Sequence, residues 1–132
     1  MRAEKVVKSL LEAAAGVTSL VGSRLYAVTR PESGPLPAVI WSMVSDVPYS
    51  TLNQAEGQEL MEARIDVACQ AKTAGEAKEL LEQVRLAVNF KNGTINGVQV
   101  VAIVQSSTGP DLYDSVVEVY QQSTDFMISY YR

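Results

Sequence analysis

Apolar and polar positions follow two different periods along this chain, and each change of period marks a predicted element. Over residues 2–15, Val6, Val7, Leu10, Leu11 and Ala14 recur at helical spacing, while Glu4, Lys5, Lys8 and Glu12 fall largely off that stripe, as an amphipathic helix requires. Gly16 stands where a C-cap is expected, and residues 18–22 read as a further short turn of helix. Residues 23–29 predict a short first strand with Leu25 and Tyr26 as its apolar members. Pro31, Pro35 and Pro37 fix φ and lack backbone donors, so residues 30–37 read as a stiff loop. Residues 38–47, rich in β-branched and aromatic side chains, predict a strand. The polar stretch 48–57 breaks the pattern and reads as a long exposed hairpin loop.

The clearest strand covers residues 58–71. Met61, Ala63, Ile65, Val67, Cys69 and Ala71 face one way and Glu62, Arg64, Asp66, Ala68 and Gln70 the other. Thr73-Ala74-Gly75-Glu76 is a capping box, so Thr73 is expected to cap a second helix ending near Asn89 and buried along Ala77, Leu80, Leu81, Val84 and Val88. Asn92-Gly93 and Asn96-Gly97 predict turns. Residues 98–106 predict another strand and 107–113 a loop. Residues 115–131 predict a long extended segment, bulged near Gln121-Gln122, that closes the sheet.

The expectation is a single domain over residues 1–132 of α+β class. It has two layers: a mainly antiparallel sheet of four to five strands, and two helices packed on one face. The passage from Ile65 through the helix to Val104 is compatible with a parallel pair joined by a right-handed crossover. The other sheet face keeps polar side chains and is left for solvent or a neighbouring subunit.

Composition narrows the chemistry. The chain has 132 residues, 47% of them hydrophobic and 20% charged, within the ordinary range for one globular domain. No apolar run approaches the roughly 20 residues needed to span a bilayer, and residues 1–5 do not begin a secretory signal, so no membrane role is expected. The net charge is −4, and the Lys and Arg residues are scattered, which disfavours binding to nucleic acid through a basic stripe. With one cysteine there is no internal disulfide, and the sequon Asn92-Gly93-Thr94 reads as a turn.

No histidine is present, which removes the commonest general base and the commonest transition-metal ligand. No catalytic residue, cofactor or metal site is therefore assigned. Cys69 lies on the apolar register of its strand and reads as a buried thiol rather than a nucleophile. Asp111 and Asp114 flank Leu112-Tyr113 and read as turn residues rather than a hard-cation site. Glu62, Arg64 and Asp66 lie at i, i+2 and i+4 on one strand face. That spacing suits a solvated face or ion pairs across a subunit interface better than acid/base catalysis. Tyr49, beside Pro48 in the expected loop, is a candidate for contact with a partner.

Several segments, taken in order, carry a resemblance. Residues 17–26 open it, from Val17-Thr18-Ser19-Leu20-Val21-Gly22 to Leu25-Tyr26. The proline loop at 30–37 then leads into Ala38-Val39-Ile40-Trp41. Residues 63–71, the helix start Thr73-Ala74-Gly75-Glu76-Ala77, Asp111-Leu112-Tyr113-Asp114 and residues 123–130 follow. Together they resemble the tail-completion family of tailed bacteriophages and prophages, which includes tail-terminator and head-to-tail joining proteins. The resemblance implies a structural subunit, not an enzyme, assembled in the bacterial host cytoplasm and placed at the head-proximal end of the virion tail. It would act as a homo-oligomeric ring, usually hexameric, that stops growth of the tail tube protein and joins the tube to the head connector protein. DNA would only pass through the lumen, which the acidic balance favours. Tyr49, Thr51, Asn53, Gln54, Glu56, Glu62, Arg64 and Asp66 are then the candidate subunit and tube contacts. Two other readings stay open: a cytosolic module binding a small molecule or peptide, and a hydrolase using carboxylates alone.

Overall fold

A computed structural model describes residues 2–30, 34–49 and 59–132. The first amphipathic stretch forms α1 (Arg2–Ala13) and then breaks into α2 (Ala15–Val21). Gly16 therefore lies inside a helix rather than ending one. Its bare Cα lets the Gln83 side chain of the third helix approach, where a Cβ would overlap the Gln83 amide. Then come β1 (Leu25–Ala27), β2 (Ala38–Tyr49), β3 (Leu60–Ala71), α3 (Ala74–Val88), β4 (Gly93–Ile95), β5 (Val98–Thr108), β6 (Leu112–Asp114) and β7 (Val119–Tyr131). Three helices and seven strands thus replace the expected two and four to five. The excess is one broken helix and two strands of three residues each, β4 and β6, too short to show a period, whereas β1 falls within the short first strand expected at 23–29.

The strand order is β1-β2-β3-β7-β5-β4, and β6 also pairs with β7. The hairpin of β2 and β3 is antiparallel, as expected. The expected crossover pair differs. β3 and β5 run the same way, but β7 lies between them, antiparallel to both. A β-α-β passage has been split by the last strand. The parallel pair found among the described residues is β1 with β2. β7 suits the centre because it contains neither Pro nor Gly, and every ladder donor and side chain can be used.

Three further expectations are corrected. Residues 107–113 are not a simple loop: β5 runs along residues 124–131 of β7, β6 along residues 119–121, and the Gly109 N–H donates to the Ser123 carbonyl between them (2.7 Å). The bulge expected near Gln121-Gln122 is absent from the regular β3–β7 ladder. The irregularities lie on the flanking strands instead, at Val44 of β2 and at Val101 and Ser106 of β5. Pro48 and Tyr49 extend β2, pairing with Met61 and Leu60. The rest of that expected loop, with Thr51, Asn53, Gln54 and Glu56, lies outside the described residues.

α1 and α3 cover one face of the sheet, and α2 packs against both of them. Val6, Val7 and Leu11 of α1 and Leu80, Leu81 and Val84 of α3 are buried in one cluster with inward residues of the strands, including Ile65, Val67, Phe126 and Ile128. The alternation of β3 is reproduced except at Ala68: Met61, Ala63, Ile65, Val67, Cys69 and Ala71 are buried, and Ala68, expected on the outward register, is buried with them. Thr73 caps α3, its hydroxyl accepting from the Glu76 N–H (3.1 Å). Thr73→Ala is expected to lower stability by about 1 kcal/mol, read from the urea midpoint, with no change in urea dependence.

The two sides of the sheet differ. Beyond β4, the outer margin of β5 is tied to the end of α3: the Phe90 N–H donates to the Ile103 carbonyl (2.9 Å) and the Asn89 side chain accepts from the Gln105 N–H (2.9 Å). At the opposite side, β1 pairs with β2 only over Val39–Trp41. Residues 42–49 of β2 have no strand partner on that side among the described residues. Val39 and Trp41 turn their backbone groups toward β1, with the Val39 N–H on the Arg24 carbonyl and the Trp41 carbonyl taking the Val28 N–H. Alternation through the bulge at Val44 then puts the missing donor of Pro48 on this open margin.

Candidate functional site

The sheet face away from the helices is built by the outward registers of β2, β3 and β7. The pairing sets Val47, Glu62 and Ser129 in one row, Ser42, Asp66 and Asp125 in another, and Ala38, Gln70 and Gln121 in a third. Glu62, Arg64 and Asp66 therefore share a face, as their spacing predicts, and each is half-buried. Tyr49 joins them from the end of β2, its hydroxyl donating to Glu62 Oε2 (2.8 Å). That bond raises the Tyr49 phenol above its usual range. The tyrosine is exposed, but a strand carries it, not a loop.

Asp125 was not legible as a site residue. It stands directly across from Asp66, and Arg64 Nη1 lies 3.5 Å from its Oδ2. Burial lifts the Asp66 carboxyl from 3.8 to about 6; its hydrogen bond with Asp125 and the charge of Asp125 push the same way, while a hydrogen bond from Ser123 opposes them. The signal lay in the alternation of Ser123 and Asp125 along β7, but only the cross-strand register brings the carboxyls together. Nearby, Arg30 Nε donates to Gln70 Oε1 and Gln70 Nε2 to Gln121 Oε1, both at 2.8 Å. These groups form the floor of a cleft of about 420 Å³, walled by Val28–Arg30 on one side and by Asp114 and Val117 on the other.

The chemistry offered here is limited. Arg30 is committed to Gln70 and to the Gly34 carbonyl (2.6 Å). Asp114 accepts from the Val116 N–H (3.0 Å) and Asp111 pairs with Lys78 (3.2 Å), which bears out their reading as turn and surface residues. Cys69 is fully buried, and desolvation pushes its thiol far up, so the thiolate that reacts is suppressed. Among the described residues no group of three His, Cys, Asp or Glu side chains could hold a metal ion. No helix among them is long and apolar enough to cross a membrane.

What the surface does offer is contact: an open mixed face, an unpaired strand margin, and exposed apolar side chains at Val28, Val47, Val104, Val116 and Val117. Such features suit contact with other proteins better than chemistry on a small molecule. The sequence pattern of the tail completion protein gp17 family matches residues 5–131, and the chain belongs to that family. It is accordingly a structural component of a phage-type virion tail. Among solved structures, a chain described as "Virion of native gene transfer agent (GTA) particle" has a similar fold. The TM-score is 0.66 at 17% identity, over 96% of this chain and 92% of that one. No curated protein sequence matches.

Proposed function

We propose that this subunit caps the head-proximal end of the tail tube, stops its growth and joins it to the head connector, acting as a closed ring of copies, six being the usual number. The family match over residues 5–131 carries this reading, and the division of the sheet supports it. One face is covered by α1 and α3, whereas the other carries the exposed Tyr49 and the half-buried Glu62, Arg64 and Asp66. Those four, with Thr51, Asn53, Gln54 and Glu56, are the proposed contacts with neighbours and tube. A net charge of −4 suits a channel through which DNA must slide without being held.

Tube protein polymerised in vitro with the labelled chain tests the reading. Electron micrographs are expected to show label at one tube end and shorter, more uniform tubes. Label spread along the tube walls, or tubes of unchanged length, would refute it. Deleting residues 51–56, a polar stretch that the sequence reads as a loop, is expected to leave the melting temperature within about 2 °C and to reduce the fraction of capped tubes severalfold.

A further inference from the structure

The turn between β6 and β7 is built against ordinary turn chemistry. Residues 115–118 are Ser, Val, Val and Glu, where Gly or Asn would be the easy choice. Val116 is 90% exposed and Val117 53%, and Glu118 is held at φ 54°, in the left-handed region that L residues avoid. Local folding gains nothing from two valines in water at such a tip. They form a small apolar knob, flanked by Asp114 and Glu118.

At the other end of α3 is a groove of about 430 Å³, lined by Leu10, Ala14, Gly16, Leu86, Ala87 and Lys91. Leu86 is 54% exposed on the helix, and the Lys91 ammonium has no ion-pair partner among the described residues. Val117 and Asp114 line the cleft on the open sheet face, whereas the groove lies in the helix layer on the other side. Knob and groove thus face different neighbours. A closed ring needs such a pair: every subunit must present two different patches, one complementary to the other.

We infer that the Val116–Val117 knob of one subunit seats in the groove between α1, α2 and α3 of a second copy of this chain, with Asp114 and Glu118 meeting Lys91. This rests on the ring reading above. Two valines are an anchor rather than a whole interface, and the rest of the contact area excludes water around them.

Three variants test the seat, in concentrated solution and on tubes. Val116→Asp and Leu86→Asp should each weaken self-association at least tenfold, with melting temperatures unchanged because both side chains are exposed. Val116→Cys combined with Leu86→Cys should give, on mild copper oxidation, a covalent ladder ending at the closed ring. Each single cysteine variant should stop at dimers, since Cys69 is buried. If Val116→Asp still forms rings and the double variant does not cross-link, the seat is wrong while the ring stands. Rings of Val116→Asp that no longer cap tubes would assign the knob to the tube protein and also overturn the inference. If the unmodified chain forms no ring in solution or on tubes, the ring reading fails, and the seat with it.

Discussion

Replacing Phe126 with alanine is expected to destabilise the protein by about 3–5 kcal/mol, a large part of the 5–15 kcal/mol that holds most domains together. Phe126 is fully buried at the middle of β7, opposite Ile65 of β3 and Gln105 of β5. A large residue truncated at an edge lets the backbone settle into the space it leaves. Here both margins of β7 are hydrogen-bonded to neighbouring strands, so the cavity stays open and its lining loses dispersion contacts outright. Met127, one residue on, points to the open face and pairs with Arg64. Met127→Ala is the control and should cost less than about 1 kcal/mol. Urea unfolding of both variants measures the contrast, and equal midpoints would mean that β7 is not the central strand.

Asp66→Asn is expected to stabilise the protein at pH 8 by about 1 kcal/mol, or roughly 3–5 °C in melting temperature, and to have almost no effect at pH 4. The unfolded carboxyl titrates near 3.8 and the folded one near 6, so the folded state holds its proton more tightly. Stability from this group is complete below pH 3.8 and is lost as pH rises through 6. The full difference would amount to about 3 kcal/mol, but the site is only half-buried, and solvent screening cuts it to a fraction of that. Asparagine keeps the shape, removes the negative charge facing Asp125, and leaves Arg64 beside Asp125. Melts at the two pH values are the measurement; equal shifts at both would show that ionisation of this half-buried carboxyl beside Asp125 is not the cause.

Helices and long strands were legible because their periods run for ten residues or more. The stripe of α3 and the alternation of β3 were each read residue by residue, and both are buried as expected. What failed was either short or non-local. β4 and β6 span three residues each, below the length at which a period exists. The break between α1 and α2 falls at Ala14, which carries no cap signal, and Gly16 drew the boundary to the wrong place. The insertion of β7 between β3 and β5 is a matter of which strands meet, and no local pattern encodes it. The site divides the same way. Glu62, Arg64 and Asp66 were visible as one face of one strand, while their partners Tyr49 and Asp125 depended on register. Val116 and Val117 were hidden because two valines after a serine read as the start of a strand, although the chain is still turning there.

The open margin of β2 bears on how such a subunit can be stockpiled. Copies waiting to assemble would each carry a margin with no strand partner among the described residues, and such a margin is a template on which copies could zip into fibres. The proline at position 48 and the kink at Val44 spoil that template: one donor is gone and the spacing of the others is broken. Runaway stacking is discouraged, while the side chains of the same strand stay presented for a partner of the right shape. Its solubility while it waits and its readiness to engage thus reside in the same few residues.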